Sequence, residues 1–184
     1  MDDIIIIACN TAHLLQFDIE QRLNVHITSM VDAAIDYTSR HHKTIRLLAS
    51  PTTIRTGLYD KPLKAAGVAV LTPDKDEEQV LEVIILAVIS GQAIPQSALD
   101  KIPIIAQSEQ ANAANYINNY PSSPPVLLGC TELSCVFAKK PNTIDPMNIL
   151  INHLSAQMSA IAKPDNKPET AVKSNSSYQI TPSA

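Results

Sequence analysis

The sequence predicts an α/β protein in which parallel strands are flanked by helices. Short apolar runs, such as residues 4–8 and, with Arg46 as their one charged residue, residues 45–49, are typical of parallel strands that are covered on both faces. Longer segments with apolar residues at helical spacing separate these runs, as the crossover connections between parallel strands require. Such folds bind ligands at the carboxyl ends of their strands, so functional residues are expected there.

The first predicted strand, residues 4–8, leads directly into Asn10 and Thr11. Both residue types favour helix N-caps, because their side chains accept hydrogen bonds from free backbone N–H groups. A helical pattern then continues to about residue 23, and a second helix is predicted over residues 30–40.

The second predicted strand, residues 45–49, is followed by a helix that ends at Gly67, a residue type that favours the C-terminal cap. Residues 68–71 form the third predicted strand. Thr72 and Pro73 suit the N-cap and first position of a helix that continues to about residue 90. This helix is apolar on nearly all faces, which is typical of a helix buried in a core or in an oligomer interface.

The last part of the chain contains one more predicted strand, residues 126–128. A helical region over residues 96–120 and a proline-rich loop over residues 121–125 precede it. Asp145 and Pro146 begin the final helix. After it the chain is polar and rich in Pro, Ser and Asn, which predicts a disordered tail.

The composition argues against two kinds of partner. Charged residues make up 17% of the 184 residues and the net charge is −4, whereas nucleic-acid-binding domains usually present a basic face. The longest apolar run, residues 83–89, is far shorter than a membrane span. The segment after Met1 is acidic and lacks the basic region of a signal peptide. We therefore expect a cytoplasmic protein with free thiols.

Two cysteine-containing segments share one pattern: an apolar strand, a small residue, a cysteine and a threonine-containing turn that leads into a helix. The first is "IIIIACNTAHLL", with Cys9, and the second is "PVLLGCTELSCV", with Cys130. The repetition indicates an internal duplication of one structural unit. Two such units that face each other would place two thiols on opposite sides of one cleft.

This arrangement suits the inversion of a stereocentre. The unpaired N–H groups and positive dipole end of a helix N-terminus favour a thiolate and also hold a carboxylate. The side chains of Asn10, Thr11 and Thr131 add hydrogen-bond donors beside them. A thiolate can then remove a proton from one face of a carbon while a thiol returns a proton to the other face. This chemistry requires neither a metal nor pyridoxal phosphate.

Some residues near these turns have equally good structural interpretations. Thr53 suits a helix cap as well as a ligand contact, and Glu132 suits the N-terminus of a helix. Cys9 and His13 have the spacing of a metal-binding pair, but no second pair with ligand spacing accompanies them. Cys135 is predicted on the apolar side of the helix after the second cysteine turn, as a core residue.

The segments "ACNTAH" and "LGCTEL" resemble the two signature segments of the aspartate/glutamate racemase superfamily, whose members work without cofactors. The glutamate after Cys-Thr, and "LLASPTTIRTGLY" at residues 47–59, are similar to the branch of aspartate racemases and broad-specificity amino-acid racemases. The resemblance implies racemisation of an acidic amino acid, aspartate or glutamate. It assigns Cys9 and Cys130 as acid/base groups, Asn10, Thr11, Thr53 and Thr131 as substrate-binding residues, and His13 and Glu132 as supporting residues.

The same resemblance implies two pseudo-symmetric racemase-type halves, with the first half truncated, because the βαβ region and glycine-rich loop that begin family members are missing. Residues 1–42 with 143–162 would form the remaining first half, residues 43–142 the second, and residues 163–184 the tail. The family likeness and the exposed edge of the first sheet predict a homodimer.

Two alternatives remain open. Within the superfamily, the chain would be a decarboxylase, a hydantoin racemase or a maleate isomerase, which "GCTEL" disfavours. Outside catalysis, it would be an inactive homologue that binds an amino acid or associates with another protein.

Overall fold

The computed structural model describes residues 4–102 and 124–161, which form two sheets of parallel strands. The smaller sheet pairs β1 (Ile5–Ile6) with β2 (Ile27–Thr28). The larger sheet consists of β3 (Thr44–Ala49), β4 (Ala69–Leu71), β5 (Val126–Gly129) and β6 (Thr143–Ile144), in the order β4-β3-β5-β6. The predicted α/β class with parallel strands is confirmed.

Helices connect the strands and flank the sheets. They are a 3-10 helix (Thr11–Leu15), α1 (Gln16–Leu23), α2 (Met30–His41), α3 (Pro51–Thr56), α4 (Asp60–Ala65), α5 (Lys75–Ile89), α6 (Gln96–Leu99), α7 (Thr131–Phe137) and α8 (Pro146–Ile161). The helical region predicted over residues 96–120 lies mostly outside the described residues, as do most of the proline-rich loop and the tail at residues 163–184.

The larger sheet carries the core because its central strands are covered on both faces. Successive side chains of a strand point to opposite faces, and Leu47, Leu48 and Leu127 are fully buried. One face of the sheet packs against α5, α6 and α7, and the other packs against α2 and α4. The apolar runs at residues 45–49 and 126–128 therefore form buried strands, as predicted.

The order of the larger sheet creates a switch point between β3 and β5. β4 lies on one side of β3 and β5 lies on the other, so the connections that leave β3 and β5 diverge. In parallel sheets the carboxyl ends of strands at such a point form the ligand-binding crevice. Ser50 follows β3 and Cys130 follows β5, so both residues lie at this point.

The first strand was predicted to be covered on both faces, but in the structure the smaller sheet is partly exposed. Ile5 and Ile6 point to opposite faces of the sheet, yet they are 37% and 41% exposed. Within the described residues β1 pairs with β2 alone, and it is shorter than the predicted residues 4–8. The layers that normally cover a parallel strand on both sides are not supplied by residues 4–102 and 124–161.

The helix α5 begins later and is more exposed than predicted. Asp74, rather than Thr72, is its N-cap: the Asp74 carboxylate accepts a hydrogen bond from the Glu77 N–H at 2.9 Å, and the Glu77 carboxylate accepts one from the Asp74 N–H at 3.4 Å. This reciprocal capping box fixes where the helix starts. Leu86 and Ile89 are 56% and 63% exposed, so α5 buries one face rather than nearly all of its surface.

The helix α2 joins the two halves of the chain. Its residues Val31 and Ala34 belong to the core of the larger sheet, and α8 packs against it. Residues 143–144, which the sequence assigned to the first half, instead form β6 beside β5. There they satisfy backbone groups at the edge of β5 that burial would otherwise leave unpaired.

No helix in residues 4–102 or 124–161 is both long enough and apolar enough to cross a membrane.

Candidate active site

The first cysteine turn follows β1 and is held by His13. Cys9 is an exposed free thiol. The backbone N–H of Met30 donates to Nε2 of His13 at 3.2 Å, and Nδ1 of His13 lies 2.8 Å from the carbonyl oxygen of Cys9. Because Nε2 accepts, the ring hydrogen is on Nδ1 and donates to Cys9. His13, itself buried, thus connects the backbone of this turn to the start of α2.

The helix after Cys9 differs from the prediction. Its first turn is the 3-10 helix, and the α-helix begins only at Gln16. Asn10 occupies the N-cap position but makes no side-chain cap hydrogen bond. Its side-chain oxygen instead accepts a hydrogen bond from the hydroxyl of Tyr59, and the residue is buried. Asn10 is therefore fixed by a contact from the other half of the chain rather than by its own helix.

The second cysteine turn follows β5 directly. Cys130 is buried and is the N-cap residue of α7. Its thiol donates a hydrogen bond to Oε2 of Glu132 at 2.9 Å, and the hydroxyl of Thr131 donates to the same oxygen at 3.2 Å. One carboxylate therefore contacts both polar side chains of the turn.

The environment of Cys130 favours the thiol, contrary to the expectation that the start of a helix would favour the thiolate. Burial and the contact with the Glu132 carboxylate raise the pKa of Cys130 to about 12. The backbone N–H groups of Glu132 and Leu133 act in the opposite direction but are outweighed. A short helix does not overcome desolvation of the sulfur together with a negative neighbour.

Glu132 is the charged member of this pair. Burial tends to raise the pKa of its carboxyl, but hydrogen bonds from Cys130, from its own backbone N–H and from Thr131 outweigh that effect and lower the pKa. The turn therefore combines a protonated thiol with an adjacent carboxylate. Such a pair can pass a proton between its members.

Three hydroxyl groups meet between the two halves. Thr53 Oγ1 lies 3.3 Å from Thr11 Oγ1 and 3.1 Å from Ser50 Oγ, and Thr11 Oγ1 lies 3.5 Å from Ser50 Oγ. Ser50, not Thr53, caps α3, because its side chain accepts the backbone N–H of Thr53 at 3.3 Å. Thr53 is fully buried in the first turn of that helix, so the interpretation of Thr53 as a helix cap is wrong.

The structure thus brings Asn10 and Thr11 into contact with residues that follow β3. It also places Thr131 and Glu132 around Cys130. Tyr59 lies beside both groups: its hydroxyl donates to Asn10, and its ring carbon Cδ2 is 3.2 Å from the position of a Cβ added at Gly129.

Two polar residues of this region were missed by the sequence analysis, Ser50 and Tyr59. Ser50 stands before Pro51, the pattern of a helix N-cap followed by its first residue, and that signal could have identified it. Tyr59 carries no comparable signal, because its partners are distant in the sequence.

His13 and Cys135 lie in environments that differ from those of a metal ligand and a core residue. Both ring nitrogens of His13 are engaged in hydrogen bonds, which disfavours a metal-binding pair with Cys9. Within the described residues, no three side chains of His, Cys, Asp or Glu form a group that could hold a metal ion. Cys135 is exposed, so its prediction as a core residue is wrong.

Comparison with known proteins agrees with this architecture. The family model described as Asp/Glu/hydantoin racemase matches residues 3–154. The chain is similar to the broad specificity amino-acid racemase RacX of Bacillus subtilis (strain 168), with 32% identity over 82 residues that cover 45% of this chain and 36% of RacX.

Two solved structures illustrate the likeness in fold. Picrophilus torridus aspartate racemase superposes with a TM-score of 0.59 at 23% identity, over 85% of this chain and 62% of that one. A putative Asp/Glu racemase from Yersinia pestis superposes with a TM-score of 0.62 at 20% identity, over 84% of this chain and 65% of that one. The chain therefore spans less than two thirds of the length of these relatives. The match of the family model over most of the sequence, on a fold that these structures share, means that the chain belongs to the Asp/Glu/hydantoin racemase family.

Proposed function

We propose that this protein interconverts the enantiomers of an acidic amino acid, aspartate or glutamate, with Cys9 and Cys130 as the two acid/base groups. Family membership supports the racemase class. The observation that carries the assignment of residues concerns one side chain, Tyr59. It donates a hydrogen bond to the residue after Cys9, and its ring lies 3.2 Å from the position that a Cβ would take at the residue before Cys130. Both cysteine turns therefore lie next to the same side chain.

In the proposed reaction, Cys9 as thiolate takes the α-proton from one face of the substrate. The electron pair stays on the α-carbon, and Cys130 as thiol returns its proton to the opposite face. Cys9 ends as a thiol and Cys130 ends as a thiolate. The raised pKa of Cys130 suits this donor role, because the thiol is the form present at neutral pH.

The opposite direction of the reaction requires Cys130 to begin as the thiolate. Glu132 can accept the proton of the thiol, because its carboxylate already accepts the hydrogen bond of Cys130 at 2.9 Å. This transfer is uphill, since the pKa of Cys130 is raised and that of Glu132 is lowered. Transfer of the thiol proton to Glu132 would leave a thiolate that can accept the α-proton of the other enantiomer. Glu132 would then act through Cys130 rather than on the substrate.

Hydroxyl and amide donors would hold the substrate carboxylates. Asn10 and Thr11 lie beside Cys9, and Thr131 lies beside Cys130. Thr53 contacts Thr11 at 3.3 Å, so a carboxylate that replaces this contact would be held from both halves of the chain at once. Neutral donors of this kind bind a carboxylate without placing a basic side chain, which would compete for protons, beside the thiols.

The proposed chemistry and the family also indicate which cofactors and partners the protein uses. Thiol acid/base chemistry of this kind needs no metal, pyridoxal phosphate or other cofactor. The partner is a small amino acid rather than a nucleic acid or a membrane, and the protein acts in the cytoplasm as a homodimer.

A second candidate is a protein that binds an acidic amino acid without turnover. It is favoured by the exposure of Ile5, Ile6 and Phe17, at 37%, 41% and 70%, around the first cysteine turn. Cys9 is exposed as well. A thiol that is open to water would be poorly placed for proton abstraction unless substrate or another polypeptide covers it.

Racemisation assays on single cysteine variants test the proposal. We expect the wild-type protein to racemise L- and D-aspartate or glutamate, and Cys9→Ser and Cys130→Ser each to lose activity on both enantiomers. Cys135→Ser, which changes an exposed cysteine outside the proposed site, is the matched control and should retain full activity. Full activity in either of the first two variants would refute the mechanism, whereas binding of aspartate without turnover by the wild type would favour the second candidate.

A further inference from the structure

We propose that Tyr59 is a positioning residue that orients the amide of Asn10 toward the substrate carboxylate and holds the two cysteine turns in register. This inference rests on the proposed function, in which Asn10 binds substrate. It adds a residue from the second half of the chain whose side chain is hydrogen-bonded to Asn10 and lies close to Gly129, the neighbours of the two cysteines.

The contacts of Tyr59 place it between the two turns. Its side chain is fully buried, and its hydroxyl donates a hydrogen bond to the side-chain oxygen of Asn10, which is only 2% exposed. On the other side, a Cβ added at Gly129 would lie 3.2 Å from Cδ2 of the Tyr59 ring. The ring therefore occupies space that a side chain at Gly129 would need.

The local fold explains why Tyr59 can reach this position. The single helix predicted to end at Gly67 is divided into α3 and α4, and Gly57 between them has a φ of 70°. This left-handed conformation is costly for residues with a side chain. Because the chain changes direction at this break, Tyr59 lies in the core of the larger sheet with Leu47, Leu63 and Leu127. Packing against these residues fixes its ring.

The direction of the hydrogen bond between Tyr59 and Asn10 determines whether Asn10 presents its amide hydrogens or its oxygen to a ligand. Burial, together with the nearby carboxylates of Asp145 and Asp32, raises the pKa of Tyr59 well above its ordinary value, so the phenol keeps its proton and acts as donor. The amide oxygen of Asn10 is then committed to Tyr59, and the two amide hydrogens remain for another acceptor. Without the phenol, the amide would be free to rotate and present its oxygen, which repels a carboxylate.

A double-mutant cycle on ligand binding tests this role. We expect Tyr59→Phe to weaken binding of aspartate, measured by calorimetry, by about tenfold. The Asn10 amide, no longer held by the phenol, would lose its well-placed hydrogen bond to the charged ligand. In the background of Asn10→Ala, which removes the oriented group, Tyr59→Phe should have no further effect on affinity. Tyr37→Phe is the matched control, because Tyr37 is partly exposed on α2 and stacks on His41; it should bind aspartate as the wild type does.

A purely structural role of Tyr59 predicts a different pattern. The loss of affinity caused by Tyr59→Phe would then be the same with and without Asn10, and that result would overturn the inference. Unchanged affinity in Tyr59→Phe would overturn it as well.

A second measurement needs no ligand and separates this inference from the proposed function. The side-chain amide signal of Asn10 in a ¹⁵N NMR spectrum can be assigned by its absence in Asn10→Ala. We expect the signal to shift in Tyr59→Phe and to stay in place in Tyr37→Phe. A signal that stays in place in Tyr59→Phe refutes the inference, whether or not aspartate binds. If the signal shifts but the wild type binds neither aspartate nor glutamate, the orientation of Asn10 by Tyr59 stands and the proposed function is wrong.

Discussion

The chemistry of individual residues differs between the two cysteine turns, although their sequences share one pattern. Cys9 is exposed, and its backbone is held by a neutral histidine. Cys130 is buried, and its thiol contacts a carboxylate. A duplicated sequence pattern has therefore produced two different environments. Among residues 4–102 and 124–161, a group that can exchange a proton with the sulfur contacts Cys130 but not Cys9.

The contact between Cys130 and Glu132 leads to a prediction for the pH dependence of thiol reactivity. Because the Glu132 carboxylate helps to raise the pKa of Cys130, Glu132→Gln should lower that pKa. Each unit of decrease raises the thiolate fraction at neutral pH about tenfold. The rate at which iodoacetamide alkylates Cys130, followed by mass spectrometry across a pH series, should thus rise at lower pH in the variant.

Glu82→Gln is the control for this experiment, because Glu82 is an exposed residue of α5. It should leave the pH profile of Cys130 unchanged. An identical profile for Glu132→Gln and the wild type would mean that the carboxylate does not govern the thiol.

The same pKa shift predicts how stability depends on pH in the alkaline range. The pKa of Cys130 is higher in the folded protein than the ordinary thiol value, so the folded state holds this proton more tightly than the unfolded chain does. The resulting stabilisation is complete below the ordinary thiol value and is lost as the pH rises toward about 12. Urea unfolding at increasing pH should show a smaller alkaline loss for Cys130→Ser than for Cys135→Ser, and equal losses would contradict the assignment.

Among the secondary-structure elements, β3 and β5 determine the position of the second cysteine turn. Ala49 and Gly129 are paired at the ends of these strands. A Cβ added at Gly129 would lie 2.9 Å from the Cβ of Ala49 and 3.1 Å from a methyl carbon of Leu47. The strands can approach this closely only because residue 129 has no side chain.

Gly129→Ala should therefore destabilise the protein and disturb the site. We expect a loss of about 1–3 kcal/mol in the free energy of unfolding, the usual cost of overpacking a core, and an altered alkylation profile of Cys130. Gly67→Ala is the comparison: no atom lies within 4 Å of its added Cβ, but its φ of 80° makes the backbone conformation costly. Gly67→Ala should lose stability without changing the alkylation profile of Cys130. A similar change of this profile in both variants would contradict the role of close packing at Gly129.

Sequence patterns were most informative for the buried elements. The runs at residues 45–49 and 126–128 were recognisable as strands because burial on both faces requires apolar residues at nearly every position, with Arg46 as the one exception. The division of one helix at Gly57 was missed, since a single glycine is compatible with a helix and tertiary packing decides the outcome. The capping box of Asp74 and Glu77 was readable from spacing alone, but Thr72 and Pro73 offered a competing signal.

The candidate site was predictable only in part. Residues next to the cysteines could be identified because the repeated pattern marks them. Ser50 and Tyr59 reach the site through contacts with Thr11 and Asn10, which are far away in the sequence. Hydrophobic periodicity and capping motifs depend on residues that are close in the sequence, so they cannot reveal contacts between distant residues.

At the scale of the whole molecule, burial is unevenly distributed between the two halves. The larger sheet buries Leu127 completely, whereas Leu15 and Leu23, in the helices that follow the first cysteine turn, are 57% and 66% exposed. Apolar burial is the main source of folding stability. The second half should therefore carry most of the stability of the described chain.

A pair of leucine substitutions tests this distribution. Leu127→Ala should cost about 2–5 kcal/mol in the free energy of unfolding, as expected for a buried leucine. Leu15→Ala should change it by less than about 0.5 kcal/mol, as expected for an exposed site. Urea unfolding at several protein concentrations measures both changes. A large loss of unfolding free energy in Leu15→Ala that depends on protein concentration would show that a second copy of the chain covers the apolar surface of the first half in solution.

The central claim is that two different thiols act on opposite faces of one carbon, and the isotope content of the product tests it most directly. L-aspartate, or L-glutamate if that is the acid racemised, is incubated with the wild-type protein in heavy water to low conversion. The D-product and the recovered L-substrate are then analysed for deuterium at the α-carbon. We predict deuterium in the product and protium in the recovered substrate, because the donating thiol carries solvent deuterium while the accepting thiol holds the substrate proton. A product that retains the original proton would show that a single group moves it between the faces, and would contradict the account.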